Sequence, residues 1–178
     1  MDKNRTKGTS KFLSYILRHN PGAIGLQLDE AGWADVQELL QKSANENPFT
    51  FDDLVEIVDT NDKKRFAFND DKSKIRASQG HSIEIDLQLV PVTPPEFLYH
   101  GTVDKFMASI RAQGLIKGNR QHVHLSVDRQ TATNVGSRRG APVVLSIRSG
   151  DMFRDGHAFY LSANGVWLTD AVPSTYID

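Results

Sequence analysis

Arg18 and His19, side by side and followed by Asn20-Pro21, are the first residues in this chain equipped for chemistry. An imidazole with an ordinary pKa of ~6.5 can give or take a proton near neutral pH, and a guanidinium beside it can fork onto an anion. The plainer reading is a cationic last helical turn that complements the helix dipole, worth ~0.3–1 kcal/mol. A second group comes from two short strands expected at 65–68 and 74–77. If Phe66 and Phe68 face the core, Arg65 faces away, and with Ile75 inward Arg76 shares its side. Two arginines there, near Arg18, suit a dianionic phosphate, while a solvated strand face is the competing reading.

Further along, Tyr99-His100-Gly101-Thr102 puts a histidine at a strand end, followed by a glycine that lets a ligand approach the backbone. His122-Val123-His124-Leu125-Ser126 alternates, so His122, His124 and Ser126 share one face. Two histidines so spaced can ligate a metal, but no cysteine and no evident third ligand accompany them. Gly136-Ser137-Arg138-Arg139-Gly140 is a cationic loop between glycines, or an ordinary exposed turn. G-x-G-x-x-G, the P-loop, H-E-x-x-H and G-x-S-x-G are all absent.

These residues need elements to hold them. Thr9 or Ser10 can cap a helix from Lys11 to about His19, with Phe12, Leu13, Ile16 and Leu17 inward and Pro21 ending it. Helices fit 35–43 and 51–59, the latter capped by Thr50. Three helices followed by a hairpin resemble a winged-helix module. Pro91-Val92-Thr93-Pro94-Pro95 then favours a stiff extended connector, which sets domains at 1–92 and 93–178. Beyond it strands are expected at 97–100, 122–126 and 143–147, with helices at 104–112, closed by Gly114, and 128–135. Strands at 159–161 and 166–169 flank the hairpin signal Asn164-Gly165. The fold class is α+β.

The 178 residues are 39% hydrophobic and 24% charged, ordinary for globular domains, and the formal net charge is −1. That excludes a uniformly basic nucleic-acid coat. The halves differ, however: residues 1–92 carry 12 Lys+Arg against 15 Asp+Glu, and residues 93–178 carry 9 against 7. Seven of those nine are arginine, the better phosphate fork, which favours the second half for nucleotide contacts. The lack of cysteine excludes disulfides, thiolate nucleophiles and iron–sulfur clusters. No apolar run approaches the ~18 residues of a membrane span, so the chain reads as a soluble cytoplasmic protein, with nothing to suggest more than a monomer.

Taken in order, several strings together resemble one family, the NAD-dependent RNA 2′-phosphotransferases (KptA in bacteria, Tpt1 in yeast). They are Ser10-Lys11-Phe12-Leu13-Ser14 through Leu17-Arg18-His19, Gly32-Trp33, Lys64-Arg65-Phe66 and Ile75-Arg76-Ala77-Ser78-Gln79-Gly80-His81-Ser82. Leu98-Tyr99-His100-Gly101-Thr102, Gly114-Leu115-Ile116, His122 through Ser126, and Asn164 through Thr169 follow. The resemblance implies a winged-helix lobe that holds RNA and an ADP-ribosyltransferase-like lobe that holds NAD. It implies a two-step reaction in which an internal RNA 2′-phosphate, as at a tRNA splice junction, first displaces nicotinamide from NAD. The RNA-2′-phospho-ADP-ribose so formed then yields 2′-OH RNA and ADP-ribose 1″,2″-cyclic phosphate, with no metal required. By the same resemblance Arg18, His19, Arg65 and Arg138 form the catalytic set. His100, Gly101, Thr102 and Ser126 line the NAD pocket, and Arg76 and His81 support the RNA side. Arg139 stands where a histidine is often expected after the catalytic arginine. Two alternatives stay open: an ADP-ribosyltransferase acting on terminal phosphates or protein, and a non-catalytic winged-helix RNA-binding protein.

Overall fold

The computed structural model describes all 178 residues and divides into two compact units, Met1–Gln88 and Leu89–Asp178. Helices and small antiparallel sheets are mixed in both, as expected of an α+β chain.

In the first unit, helix α1 spans Lys3–Arg18 and therefore begins eight residues before the start expected at Lys11. Asp2 caps it by accepting the Arg5 N–H at 2.8 Å. The early turns are polar, so apolar periodicity is silent there; Thr9 nevertheless faces the core and donates its hydroxyl to Asn47 at 3.1 Å. Leu13, Ile16 and Leu17 continue that buried face. Helix α2 (Val36–Ser43) is capped by Asp35, and α3 (Phe51–Thr60) by a reciprocal box between Thr50 and Asp53. Strands β2 (Phe66–Phe68) and β3 (Lys74–Ala77) pair antiparallel, with Ala67 opposite Arg76. A third strand, β1 (Ala34–Asp35), pairs with the other edge of β3 and was too short to show in the sequence. Leu13, Ile16, Leu17, Leu39, Leu54, Ile57, Phe66 and Ile75 close the core beneath this sheet.

The second unit is organised around β4 (Leu98–Thr102), which pairs antiparallel along its whole length with β7 (Val143–Ile147). Between them in sequence come α4 (Met107–Gln113), β5 (Leu115–Ile116), β6 (Val123–Leu125) and α5 (Arg129–Gly136). After β7 come α6 (Ser149–Arg154), β8 (Tyr160–Leu161), β9 (Trp167–Thr169) and β10 (Ala171–Val172). Strands β6, β9 and β8 form one sheet in that order, and β10 pairs with β5. The proline-rich stretch before β4 is tied down: the Pro95 carbonyl accepts the Ser149 hydroxyl at 2.7 Å and Glu96 is gripped by both Arg154 nitrogens.

Gly101 has an intramolecular reason to be glycine. A Cβ there would lie 1.7 Å from the Ala132 carbonyl oxygen and 2.8 Å from the Gly136 nitrogen, so α5 occupies the side where a side chain would stand. Gly101→Ala should therefore destabilise the second unit at or beyond the upper end of the ~1–3 kcal/mol typical of overpacking. Denaturant unfolding checks this; a loss under ~0.5 kcal/mol would mean that α5 does not press on the strand.

Candidate functional site

Within the first unit, the residues that could handle a phosphate meet where α1 ends. His19 follows the last turn, and its Nδ1 lies 2.8 Å from the Ser82 hydroxyl. The Ser82 N–H donates to the Arg18 carbonyl at 2.9 Å, so one serine holds both neighbours. Gly80, at φ 89°, lets the chain pass flat against the Arg18 guanidinium: a Cβ there would stand 3.4 Å from Nε. The segment after β3 is therefore a brace for the Arg18-His19 pair. The sequence assigned His81 to the RNA side by resemblance and gave no sign of Ser82's contact with His19. No local pattern announces it, because the partners lie 63 residues apart.

Arg65 directly precedes β2, and its carbonyl accepts the Ser78 N–H at 2.8 Å, continuing the ladder by one register. By alternation it lies on the Ala67 face, the face that carries Arg76. Arg76 is half-buried; its guanidinium sits 4.4 Å over the Trp33 ring and donates to the Ala31 carbonyl at 3.3 Å. Neither Arg65 nor Arg76 forms a salt bridge, which leaves both charges available to an external anion.

His81 lies in the same group but is sealed, at 1% exposure, with no hydrogen-bond partner for either ring nitrogen. Burial, reinforced by the charges of Arg18, Arg76 and His19, pulls its pKa down to about 4. It is neutral at physiological pH. The sign of the pH effect follows. The unfolded imidazole, at ~6.5, takes a proton that the folded one refuses, so stability intact above pH ~6.5 is lost as pH falls toward 4. The cost approaches roughly 3 kcal/mol, and His81→Leu should flatten that part of a stability–pH curve measured by urea unfolding. An equally steep acid limb in the variant would remove His81 as its cause.

In the second unit β4 carries His100, Gly101 and Thr102, and a bridge between Tyr99 and Ser126 joins its edge to the end of β6. His100 donates Nδ1–H to the His124 carbonyl at 3.2 Å. Burial, with a smaller push from Arg139, holds its pKa below the ordinary value despite that hydrogen bond, so the ring is neutral with Nε2 as an acceptor. Ser126 spends both backbone groups on Tyr99, at 2.8 and 2.9 Å. Arg120 donates to His124 Nδ1 at 3.0 Å, and desolvation and the adjacent Arg139 lower its pKa. Arg139 in turn lies 5.6 Å over the Phe106 ring.

Arg138 is the chain neighbour of Arg139, whose charge acts on both His100 and Arg120. It is exposed on the turn Ser137–Arg139 and makes no hydrogen bond, ion pair or ring contact. A further guanidinium, that of Arg120, is engaged with His124 and was not singled out in the sequence. The available signal was its place four residues before His124, at the entry to the alternating strand. His122 packs on the Tyr160 ring, centroids 5.6 Å apart, and no group of three or more His, Cys, Asp or Glu side chains is gathered that could hold a metal ion. No helix is long and apolar enough to cross a membrane.

Comparison with known proteins matches residues 3–171 to the model of one family, described as RNA 2′-phosphotransferase, Tpt1 / KptA family. A Flavobacterium johnsoniae protein described as "Probable RNA 2′-phosphotransferase" is 59% identical, over 100% of this chain and 98% of its own. Proteins of the same description from Burkholderia pseudomallei and Hahella chejuensis are 57% and 56% identical. These cover 94% and 99% of this chain and 92% and 95% of their own.

Proposed function

Because the chain belongs to the Tpt1/KptA family of RNA 2′-phosphotransferases, we propose that it moves an internal RNA 2′-phosphate, as at a tRNA splice junction, onto NAD. NAD is a second substrate that is consumed. The observation that carries this reading is the braced Arg18-His19 pair beside two arginines free of carboxylates, Arg65 and Arg76. We read unit one as a winged-helix lobe for RNA, on its three helices and the β1-β3-β2 sheet, and unit two as an ADP-ribosyltransferase-like lobe for NAD.

In the first step a 2′-phosphate oxygen bonds to the anomeric carbon of the nicotinamide ribose. The glycosidic electron pair leaves with nicotinamide, which departs neutral, so no general acid is required. Arg18 and Arg65 hold the phosphate, each charge-assisted bond being worth ~1.5–3 kcal/mol. Neutral His100 offers Nε2 to a ribose hydroxyl, with Gly101, Thr102 and Ser126 around the same nucleotide. In the second step the ribose 2″-hydroxyl bonds to phosphorus and the bond to the RNA 2′-oxygen breaks. One proton must leave the attacking hydroxyl and one must reach the departing oxygen. His19 performs both transfers at Nε2, since the Ser82 hydroxyl can accept from Nδ1–H or donate to bare Nδ1. Arg138, exposed and free of any carboxylate, stabilises the charge that builds on the phosphorane. The residues named supply proton transfer and charge stabilisation without a metal ion.

The test is nicotinamide release, followed by chromatography, from wild-type protein given NAD and matched RNAs. The 2′-phosphorylated strand should release it; the 2′-hydroxyl strand should not. Release without RNA, or none with either strand, overturns the reading.

A further inference from the structure

Helix α1 carries Lys3, Arg5, Lys7, Lys11 and Arg18 and not one carboxylate, in a chain whose net charge is −1. At about 100° per residue, Lys3, Lys7, Lys11, Ser14 and Arg18 fall within an arc of about 80°. That arc is turned away from the buried Thr9, Leu13, Ile16 and Leu17. Arg5 lies outside it and is occupied by Asp53 and the Pro48 carbonyl. Lys3, Lys7 and Lys11 are exposed and form no ion pair.

An ordinary solvated face interleaves the two signs, because like charges at i, i+4 oppose the helix and cations near its N-terminus oppose its dipole. This face does the opposite, repeating lysine at i, i+4 from the first helical residue. The acids of the unit are sorted elsewhere: α3 holds Asp52, Asp53, Glu56 and Asp59 with no base. The result is a unit that attracts a polyanion along α1 and repels it from α3. The stripe also runs directly into Arg18, the residue assigned above to the phosphate.

We propose that this face is a track for the RNA strand flanking the 2′-phosphate, with Lys3, Lys7 and Lys11 contacting backbone phosphates about two nucleotides apart. The proposal rests on the assignment of Arg18 and His19 to an RNA phosphate. From Lys3 to Arg18 the track is about 22 Å long, at 1.5 Å per residue. At about 3.4 Å per stacked nucleotide that accommodates about six or seven nucleotides on one side of the reacting position.

Full-length protein with Lys3→Gln, Lys7→Gln and Lys11→Gln together tests this; glutamine keeps helix propensity and removes charge. Anisotropy would measure affinity for a twelve-nucleotide RNA and for a 2′-phosphorylated trinucleotide, which reaches only the Arg18 end. For the long strand, affinity should fall on the order of a hundredfold at about 0.1 M salt, and the slope of log K against log salt should flatten by about 2. The trinucleotide should lose less than about threefold. Equal losses at both lengths, or none at either with helicity intact by circular dichroism, overturn the proposal. So does an equal loss in a charge-matched control, Lys72→Gln with Lys105→Gln and Lys117→Gln. Because the readout is binding, a wild-type protein that binds long RNA through α1 yet transfers no phosphate would refute the catalytic reading alone.

Discussion

His19→Ala should lower turnover by about 10²–10⁴-fold while RNA affinity largely survives. The two chemical steps need different help. Nicotinamide leaves as a neutral molecule, so the first step asks for a positioned phosphate and no proton. The second must move a proton from the ribose 2″-hydroxyl to the RNA 2′-oxygen, and His19 is the proton carrier placed against the Arg18 guanidinium's own helix end. The variant should therefore accumulate RNA-2′-phospho-ADP-ribose, visible as a slower band in a denaturing gel. Ser82→Ala should lie between it and the wild type, with an altered pH–rate profile, because the hydroxyl 2.8 Å from Nδ1 orients the ring and pairs with that nitrogen in either protonation state. Full turnover in His19→Ala would transfer the proton work to another group.

The second large effect separates two arginines. Arg138→Ala should cost about 10²–10³-fold in kcat, the usual price of removing one preorganised donor to developing charge. Arg120→Ala should cost no more than a few-fold, since its guanidinium is already engaged with His124, while Arg138 is exposed and free of any carboxylate. Paired kinetics on the two variants, with RNA and NAD saturating, give the answer. The reverse ranking would move the phosphate role from the glycine-bracketed loop to Arg120.

That contrast also marks how far the sequence can be read. Strong local signals were legible: the Thr50 helix cap, the strand 143–147 and the alternation that puts Arg65 and Arg76 on one face all stand in the structure. Polar beginnings were not. Lys3–Ser10 is helical because Asp2 caps it and Thr9 packs inward, and neither shows as apolar periodicity. Strand β1 has two residues and exists only because β3 offers it an edge. At the site, residue type was legible and environment was not. His81 and His19 look alike in the sequence, yet one is sealed and neutral and the other is exposed on a serine. Gly101 invites a ligand on paper, and in the fold its open side is filled by α5. Ser82 and Arg120 gain their meaning from tertiary contacts.

The central claim is that one chain both dephosphorylates RNA and consumes NAD. The most direct measurement is mass spectrometry of the products after incubating the protein with NAD and a short RNA bearing one internal 2′-phosphate, with EDTA present. The account predicts RNA with a 2′-hydroxyl, free nicotinamide and ADP-ribose 1″,2″-cyclic phosphate in equal amounts. Inorganic phosphate in place of the cyclic product, a stable ADP-ribosylated RNA as the end point, or both substrates returned unchanged would contradict it.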